Sequence, residues 1–478
     1  MMDNTYDIIV IGAGSGGLSV GLTMNKLGFK VLMIAKTDHE IGGECLNDGC
    51  VPSKALIHVA KMLKHAKTAE AFGLTITGKP DLKKAIDYVT QRQEIIRKHE
   101  NATALREQGI DIELGEAKFS GKKEVTVNNN KYTAKNIVIA TGSKPRKLNV
   151  PGVENVNYFT NSSIFSIENL PQNLLVIGGG PIGIELAQAF NSFGSKVTVV
   201  QHGNTILEHD DEQVTSILLK QLKEEGIEFL LNADVDCFIS SDKATIKFKD
   251  GESIILNFDA AFVGIGRELP LTALQLKNAG IDTKDGKIVT DRYLRTTNKN
   301  IYVCGDVAGD LMFSHAAEFH ARILVNNFLS PIKKKLNNDY MSWVTFTDPE
   351  IATFGLNEKQ LKERGNKYVK LQHDFKADDR AVTDAYQYGR MILYITNGGF
   401  FKKETIIGGT MIAPNSGELI QELLLANASG ISINRIFDKI YPYPVASRVN
   451  QHIIVKHKEK AITSGVKKLL QITYKIFS

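Results

Sequence analysis

Tyr6-Asp-Ile-Ile-Val-Ile-Gly-Ala-Gly-Ser-Gly-Gly17 and Leu174-Leu-Val-Ile-Gly-Gly-Gly-Pro-Ile-Gly183 decide the fold. Each is an apolar strand-like run that ends in glycines. A helix-like run follows, Leu18–Leu27 in one case and Ile184–Phe193 in the other. Each unit then continues into a second strand, Lys30–Ile34 and Lys196–Val200. The glycines serve a tight turn, a close backbone approach to a pyrophosphate and close packing of helix on strand. Phosphates then sit at a helix N-terminus, where free N–H groups and the dipole favour anions. One such turn is a common accident. Two in one chain, each between strand and helix, predict two Rossmann-like dinucleotide-binding domains in an α/β protein with parallel sheets.

The acid expected about 20 residues on, for a ribose hydroxyl, is missing from both units. The second strands end in Ala35-Lys36 and Gln201-His202. Gln201 can still bond a ribose. No Arg or Lys lies between Gln201 and Leu207 to grip a 2′-phosphate, so the reading leans to NADH over NADPH.

Outward from these turns, Leu82 to about Gln108 reads as one long helix without internal Gly or Pro. Ala134–Ala140 is a strand ending in Thr141-Gly142-Ser143, and 154–160 a crossover linker. Asn300–Val303 is a strand leading into Gly305-Asp306. From about Ser342 short strands and two helices suggest a third, α+β domain. The expected division is 1–150 and 271–340 for the first dinucleotide-binding domain, 151–270 for the second, 341–450 for the third, and 451–478 as a basic tail.

Length fits two to four domains, and an ordinary composition, 43% hydrophobic and 23% charged, can bury sizeable cores. The net charge of +5 is accounted for by the six lysines and one glutamate from Lys456 onward. The rest of the chain is near neutral, which argues against a nucleic-acid groove. No basic n-region precedes the first strand, and no apolar run approaches the roughly 18–20 residues of a bilayer span. The expectation is a cytoplasmic, reducing setting.

Of four cysteines, Cys45 and Cys50 sit five apart in Gly42-Gly-Glu-Cys45-Leu-Asn-Asp-Gly-Cys50-Val-Pro-Ser-Lys54, just before a helix-like run, Ala55–Ala66. Two cysteines so placed can close a small ring. A helix N-terminus, and Lys54 if it turns inward, would favour the thiolate. The competing readings are two unrelated free thiols, or metal binding, for which no nearby His or Cys completes a structural zinc site. No resident metal is expected. Cys304 is expected to be buried, and Cys237 has no partner in sequence.

With this segment the chain resembles the FAD-dependent pyridine nucleotide–disulfide oxidoreductases, which include dihydrolipoamide dehydrogenase, glutathione reductase and mercuric reductase. The resemblance runs from about Tyr6 to Ser447. It also rests on Ala140-Thr-Gly-Ser143, Gly178–Glu185, Gly264-Ile-Gly-Arg267, Tyr302-Val-Cys-Gly-Asp306, Thr347-Asp-Pro-Glu350 and Pro414-Asn-Ser-Gly-Glu418. It implies FAD along Gly12, Gly14 and Gly17, with Ala140, Thr141, Gly142, Gly305 and Asp306. It implies a nicotinamide dinucleotide, NADH or NADPH, on Gly178, Gly180, Gly183, Gln201 and Gly266. Cys50 would be the flavin-proximal thiol and Cys45 the interchange thiol. Lys54 would sit by the flavin, paired with Glu185. The third domain would form a homodimer whose active sites are shared between subunits.

The resemblance breaks near the C-terminus. In the dihydrolipoamide and glutathione enzymes a His-Pro-Thr supplies the thiol base and a Glu orients it. Here Tyr441-Pro-Tyr443-Pro-Val-Ala-Ser-Arg448 puts Tyr443 for the His and Arg448 for the Glu. Mercuric reductase has a tyrosine at this place, but its C-terminal vicinal cysteines and N-terminal metal-binding domain have no counterpart in this sequence. Packing at a dimer interface is the other reading of Tyr443. His315 reads as structural rather than as a base.

The resulting expectation is an enzyme that carries electrons from NAD(P)H through FAD to Cys45/Cys50, and on to a disulfide, a thiophilic metal ion or another electrophile. Dihydrolipoamide dehydrogenase proper is the alternative. A flavin-bound redox sensor or membrane-docked adaptor without thiol turnover is the reading from a different class. Val466, Leu469, Leu470, Thr473, Ile476 and Phe477 recur at helical spacing among Lys467, Lys468 and Lys475. Such a helix either lies on an anionic membrane, giving peripheral contact at the inner face, or docks on the protein itself.

Overall fold

The structure, a computed structural model, describes residues 4–399 and 402–477. The chain divides into two compact units. The first comprises residues 1–204 and 226–337, the second 205–225 and 338–478.

In the first unit, β1 (Thr5–Ile11) is followed by α1 (Ser15–Lys26) and β2 (Val31–Ala35). β1 pairs in parallel with β2, Ile9 opposite Leu32, and on its other side with β3 (Asn130–Ile139), Ile9 opposite Ile137. Every residue of β2 is buried, as expected of a parallel strand covered on both faces. Strands Asp111–Leu114, Glu124–Val127 and Lys118–Gly121 widen this sheet, and Ile301–Val303 also pairs with β3.

The second dinucleotide unit repeats the pattern. β4 (Asn173–Ile177), α3 (Pro181–Phe193) and β5 (Lys196–Gln201) form a parallel sheet with Glu228–Leu231 and Ala260–Val263. In sequence, α2 (Cys50–Thr68) precedes this unit.

The stretch read as one helix from Leu82 to Gln108 is two, Leu82–Arg97 and Ala102–Glu107. Asn101 ends the first and starts the second. Its Oδ1 accepts the Ala104 N–H at 2.9 Å, while its Nδ2 donates to the Arg97 carbonyl at 2.8 Å. An asparagine mid-run satisfies orphan backbone groups better as a cap than as a helix interior residue.

The second unit is built on a five-stranded antiparallel sheet in the order Ser342–Thr345, Glu350–Gly355, Ile406–Ala413, Arg390–Thr396, Tyr368–Asp374. It carries more helices than the two expected. It also recruits a distant segment, 205–225, whose Asp210 accepts from Trp343 Nε1 at 2.8 Å and from Thr353 Oγ1 at 2.6 Å. The hydroxyl of Tyr394, a fully buried ring, donates to Asp211 Oδ2 at 2.9 Å. The chain ends in the helix Ser464–Phe477, in which every residue is exposed. Among the described residues no helix is long and apolar enough to cross a membrane.

Candidate active site

The first glycine turn has no room for a side chain at Gly12 or Gly17. Gly12 adopts φ +108°, and a Cβ on Gly17 would stand 1.9 Å from the Gly12 carbonyl oxygen. The next segment folds back as a strap. The Gly42 N–H donates to the Ala13 carbonyl at 2.9 Å, and a Cβ on Gly43 would meet Gly14 Cα at 2.6 Å. Beside the turn, Thr141 Oγ1 is buried without a hydrogen-bond partner among the described residues. The bare turn and this orphan hydroxyl fit a pyrophosphate-bearing cofactor.

The second turn repeats the shape. Gly178 also has φ +108°, and a Cβ on Gly183 would stand 2.2 Å from the Gly178 carbonyl oxygen. Around Gly180, by contrast, a Cβ would meet nothing within 4 Å. Gln201, at the end of β5, accepts the Gly179 N–H through Oε1 at 2.7 Å. The neighbouring His202 is held by Asp234, Nδ1 to Oδ2 at 2.7 Å. Gly266 lies in the open, at φ +102°.

The cysteines are local neighbours. Cys45 lies in a one-turn helix, Gly43–Asn47, and Cys50 is the first residue of α2. The Cys50 thiol is lowered to about 6, first by a hydrogen bond with Cys45, then by Ser314 and the charge of Lys54; burial opposes these. The same pairing with Cys50 pushes Cys45 up. Ser314, on the first turn of α4 (Ser314–Leu329), lies 3.3 Å from Cys50 Sγ through its Oγ. Lys54, one helical turn after Cys50, reaches Glu185 of α3 at 2.7 Å. Glu185 is buried at 4% exposure. A buried carboxylate needs such a partner.

An ionic network closes the site. Arg267 forms a two-pronged pair with Glu44, and its Nε donates to Ser143 Oγ at 2.6 Å. Ser143 in turn donates to Asp306 at 2.5 Å. Asn161 donates to Glu44 and to the Asp48 carbonyl. Burial and the charge of Glu44 raise the Asp48 carboxyl to about 6. Sequence reasoning quoted Glu44, Ser143 and Arg267 but gave them no role, and it missed Ser314 and His320. His320 is buried, accepts the Gly305 N–H at 3.2 Å and has a pKa lowered by burial. The only signal for it was a histidine at helical spacing after Gly305-Asp306.

Cys304 is buried, its thiol raised to about 12 by burial, with Sγ 3.4 Å from the Ala317 carbonyl. Cys237 is half-buried. His315 is exposed and stacks on Phe313 at 5.2 Å. Tyr443 belongs to the second unit. It is 68% exposed, and the Arg448 guanidinium lies 5.6 Å from its ring centre.

A family model described as pyridine nucleotide-disulphide oxidoreductase matches residues 6–321, and that family's dimerisation domain matches residues 341–453. The chain belongs to this family. Mercuric reductase of Staphylococcus aureus is 31% identical over 92% of the chain and 80% of its own length. Dihydrolipoyl dehydrogenase of Mycoplasma genitalium is 32% identical over 93% and 96%. A solved structure described as a Cu(II) complex of the HOCl-induced flavoprotein disulfide reductase RclA from Escherichia coli superposes with a TM-score of 0.83 at 25% identity, covering 94% of this chain and 98% of that one. The protein is therefore an oxidoreductase of the FAD- and pyridine nucleotide-dependent kind, and its two bare glycine turns suit those cofactors.

Proposed function

We propose that the protein draws electrons from a reduced nicotinamide, with NADH favoured, and delivers them through Cys45/Cys50 to an acceptor that needs no proton relay, foremost a thiophilic metal ion. FAD, when bound, would supply the two-electron chemistry between the nicotinamide and the thiols. Gly12, Gly14, Gly17 and Thr141, with Ala140, Gly142, Gly305 and Asp306 around them, hold the first dinucleotide. Gly178, Gly180, Gly183, Gln201 and Gly266 hold the second. Cys50 would be the thiol toward the flavin, as a thiolate steadied by Ser314 and Lys54, with Glu185 holding Lys54 and Cys45 meeting the acceptor. A divalent ion that takes two electrons from the Cys50 thiolate and the Cys45 thiol leaves as the reduced metal, the disulfide re-forms, and the one proton of Cys45 is released.

The observation that carries this reading is Tyr443 under Arg448 where dithiol enzymes hold a histidine and a glutamate. An attacking dithiol must become a thiolate. Histidine takes that proton well at neutral pH, whereas a phenol with a reference pKa of about 10 does not. The similarity to mercuric reductases, and to a reductase solved as a Cu(II) complex, points the same way. A homodimer through 341–453 would carry Tyr443 of one subunit toward the cysteines of the other.

An anaerobic screen with NADH and NADPH against Hg²⁺, Cu²⁺, quinones, lipoamide and glutathione disulfide tests the reading. Metal reduction that requires both cysteines is expected, with weak lipoamide turnover that rises in Tyr443→His/Arg448→Glu. Wild-type lipoamide turnover at kcat above roughly 100 s⁻¹ overturns it.

We also propose that the protein works in the cytoplasm and touches the inner membrane face through Ser464–Phe477. The exposed apolar residues of this helix, and Lys467, Lys468 and Lys475 without an acid among them, support this. Cosedimentation with anionic vesicles should fall at high salt and vanish on deleting 456–478.

A further inference from the structure

The second unit contains a cluster that the redox reaction does not use. His373 ends β6 (Tyr368–Asp374) but one, Asp378 caps the short helix α5 (Asp379–Thr383), and His452 lies on α6 (Val449–Lys460). One ligand atom from each lies within 4.8 Å of the others. His452 Nδ1 is 3.1 Å from Asp378 Oδ2, and the two imidazole rings stand 6.0 Å apart at 77°. His373 and Asp378 are buried; His452 is half-buried and gives the cluster a side open to solvent.

His373 holds a second clue. Its Nδ1 lies 2.8 Å from Lys456 Nζ, one turn along α6 from His452. An ammonium only donates, so Nδ1 accepts and the ring proton sits on Nε2. That Nε2 is buried and has no hydrogen-bond partner among the described residues. A buried donor left so is destabilising, and the cost persists unless something else uses the ring. A ring that accepts the Lys456 ammonium at Nδ1 is the neutral imidazole, the form that metal ligation requires.

We propose that His373, Asp378 and His452 form a site for a divalent transition ion of the zinc or copper class, separate from Cys45/Cys50. Two imidazoles and a carboxylate suit such ions better than Mg²⁺ or Ca²⁺, which prefer all-oxygen shells. The solvent side leaves a fourth position for water. Lys456 is the gate. An ion on His373 Nδ1 displaces the ammonium directly. An ion on Nε2 moves the ring proton to Nδ1, which then faces the ammonium as donor to donor. Either way Lys456 must swing out, so it competes with the metal.

The test uses full-length flavoprotein carrying Cys45→Ser/Cys50→Ser, so that the thiols bind no metal, alongside oxidised wild type. Zn²⁺ is titrated against a chromophoric chelator. One zinc per chain is expected in both proteins, with Mg²⁺ and Ca²⁺ unable to compete. His452→Gln and Asp378→Asn should each weaken binding at least about tenfold, and Lys456→Met should tighten it. Co²⁺ in the serine variant should give tetrahedral d–d bands without a sulfur charge-transfer band. Absence of stoichiometric zinc, equal affinity in His452→Gln, or weaker binding in Lys456→Met overturns the proposal. None of these outcomes bears on the acceptor of the redox centre.

Discussion

Gly14 and Gly180 hold the same place in two turns of the same shape, with Gly12 and Gly178 sharing φ +108°. Their surroundings differ. Over Gly14 lies the Gly42–Gly43 strap, so close that a Cβ on Gly43 would stand 2.6 Å from Gly14 Cα, whereas a Cβ on Gly180 would meet nothing within 4 Å. On the proposed reading one sequence device would serve two kinds of ligand: the covered turn would retain FAD as a prosthetic group, and the open one would let a nicotinamide dinucleotide come and go as a substrate.

Substitutions at the two turns should break this contrast most sharply. Gly43 sits at φ +63° with no room for a Cβ. Gly43→Ala should lift the strap and yield protein that loses flavin on gel filtration. Gly180→Ala clashes with nothing in the chain. It should keep its flavin and raise KM for the nicotinamide nucleotide about tenfold, or about 1.4 kcal/mol. Flavin loss from Gly180→Ala, with retention in Gly43→Ala, would reverse the assignment.

Lys54–Glu185 bridges the two regions, because α2 follows the strap and α3 begins at the second turn. Lys54→Met removes the ammonium that lies 2.7 Å from the buried Glu185 carboxylate, at a cost of up to about 3 kcal/mol. Denaturant midpoints should fall accordingly, and Glu185→Gln in the same background should recover most of the loss.

The smallest effect concerns the thiols. With Cys50 lowered to about 6, its thiolate, and the stability this contributes, are fully present above the ordinary thiol range. Both are lost as pH falls through about 6. Alkylation of the reduced protein by iodoacetamide should follow that midpoint. Ser314→Ala should move it upward by less than one unit, since Cys45 is the larger influence. An unmoved midpoint would remove Ser314 from the set that steadies the thiolate.

These contrasts also mark what a sequence reveals. Both turns, the cysteine pair and Lys54 are legible because each is defined by spacing within a few residues. Glu185 comes from the family resemblance alone, which pairs it with Lys54. The cover over Gly14 is not legible, since it depends on where the chain returns after β2. Nor is the Arg267–Glu44 pair, joined across more than 200 residues, or the recruitment of 205–225 through Asp210 and Asp211. The break at Asn101 was readable as a cap, but only against a helical pattern that continued on both sides.

The strap has one more consequence. The peptide that folds over the first glycine turn is the same one that carries Cys45. On the proposed reading the redox pair would be mounted on the lid of its own electron supply, so slackening of that lid would move reservoir and outlet together and an emptied centre would also misplace its thiol.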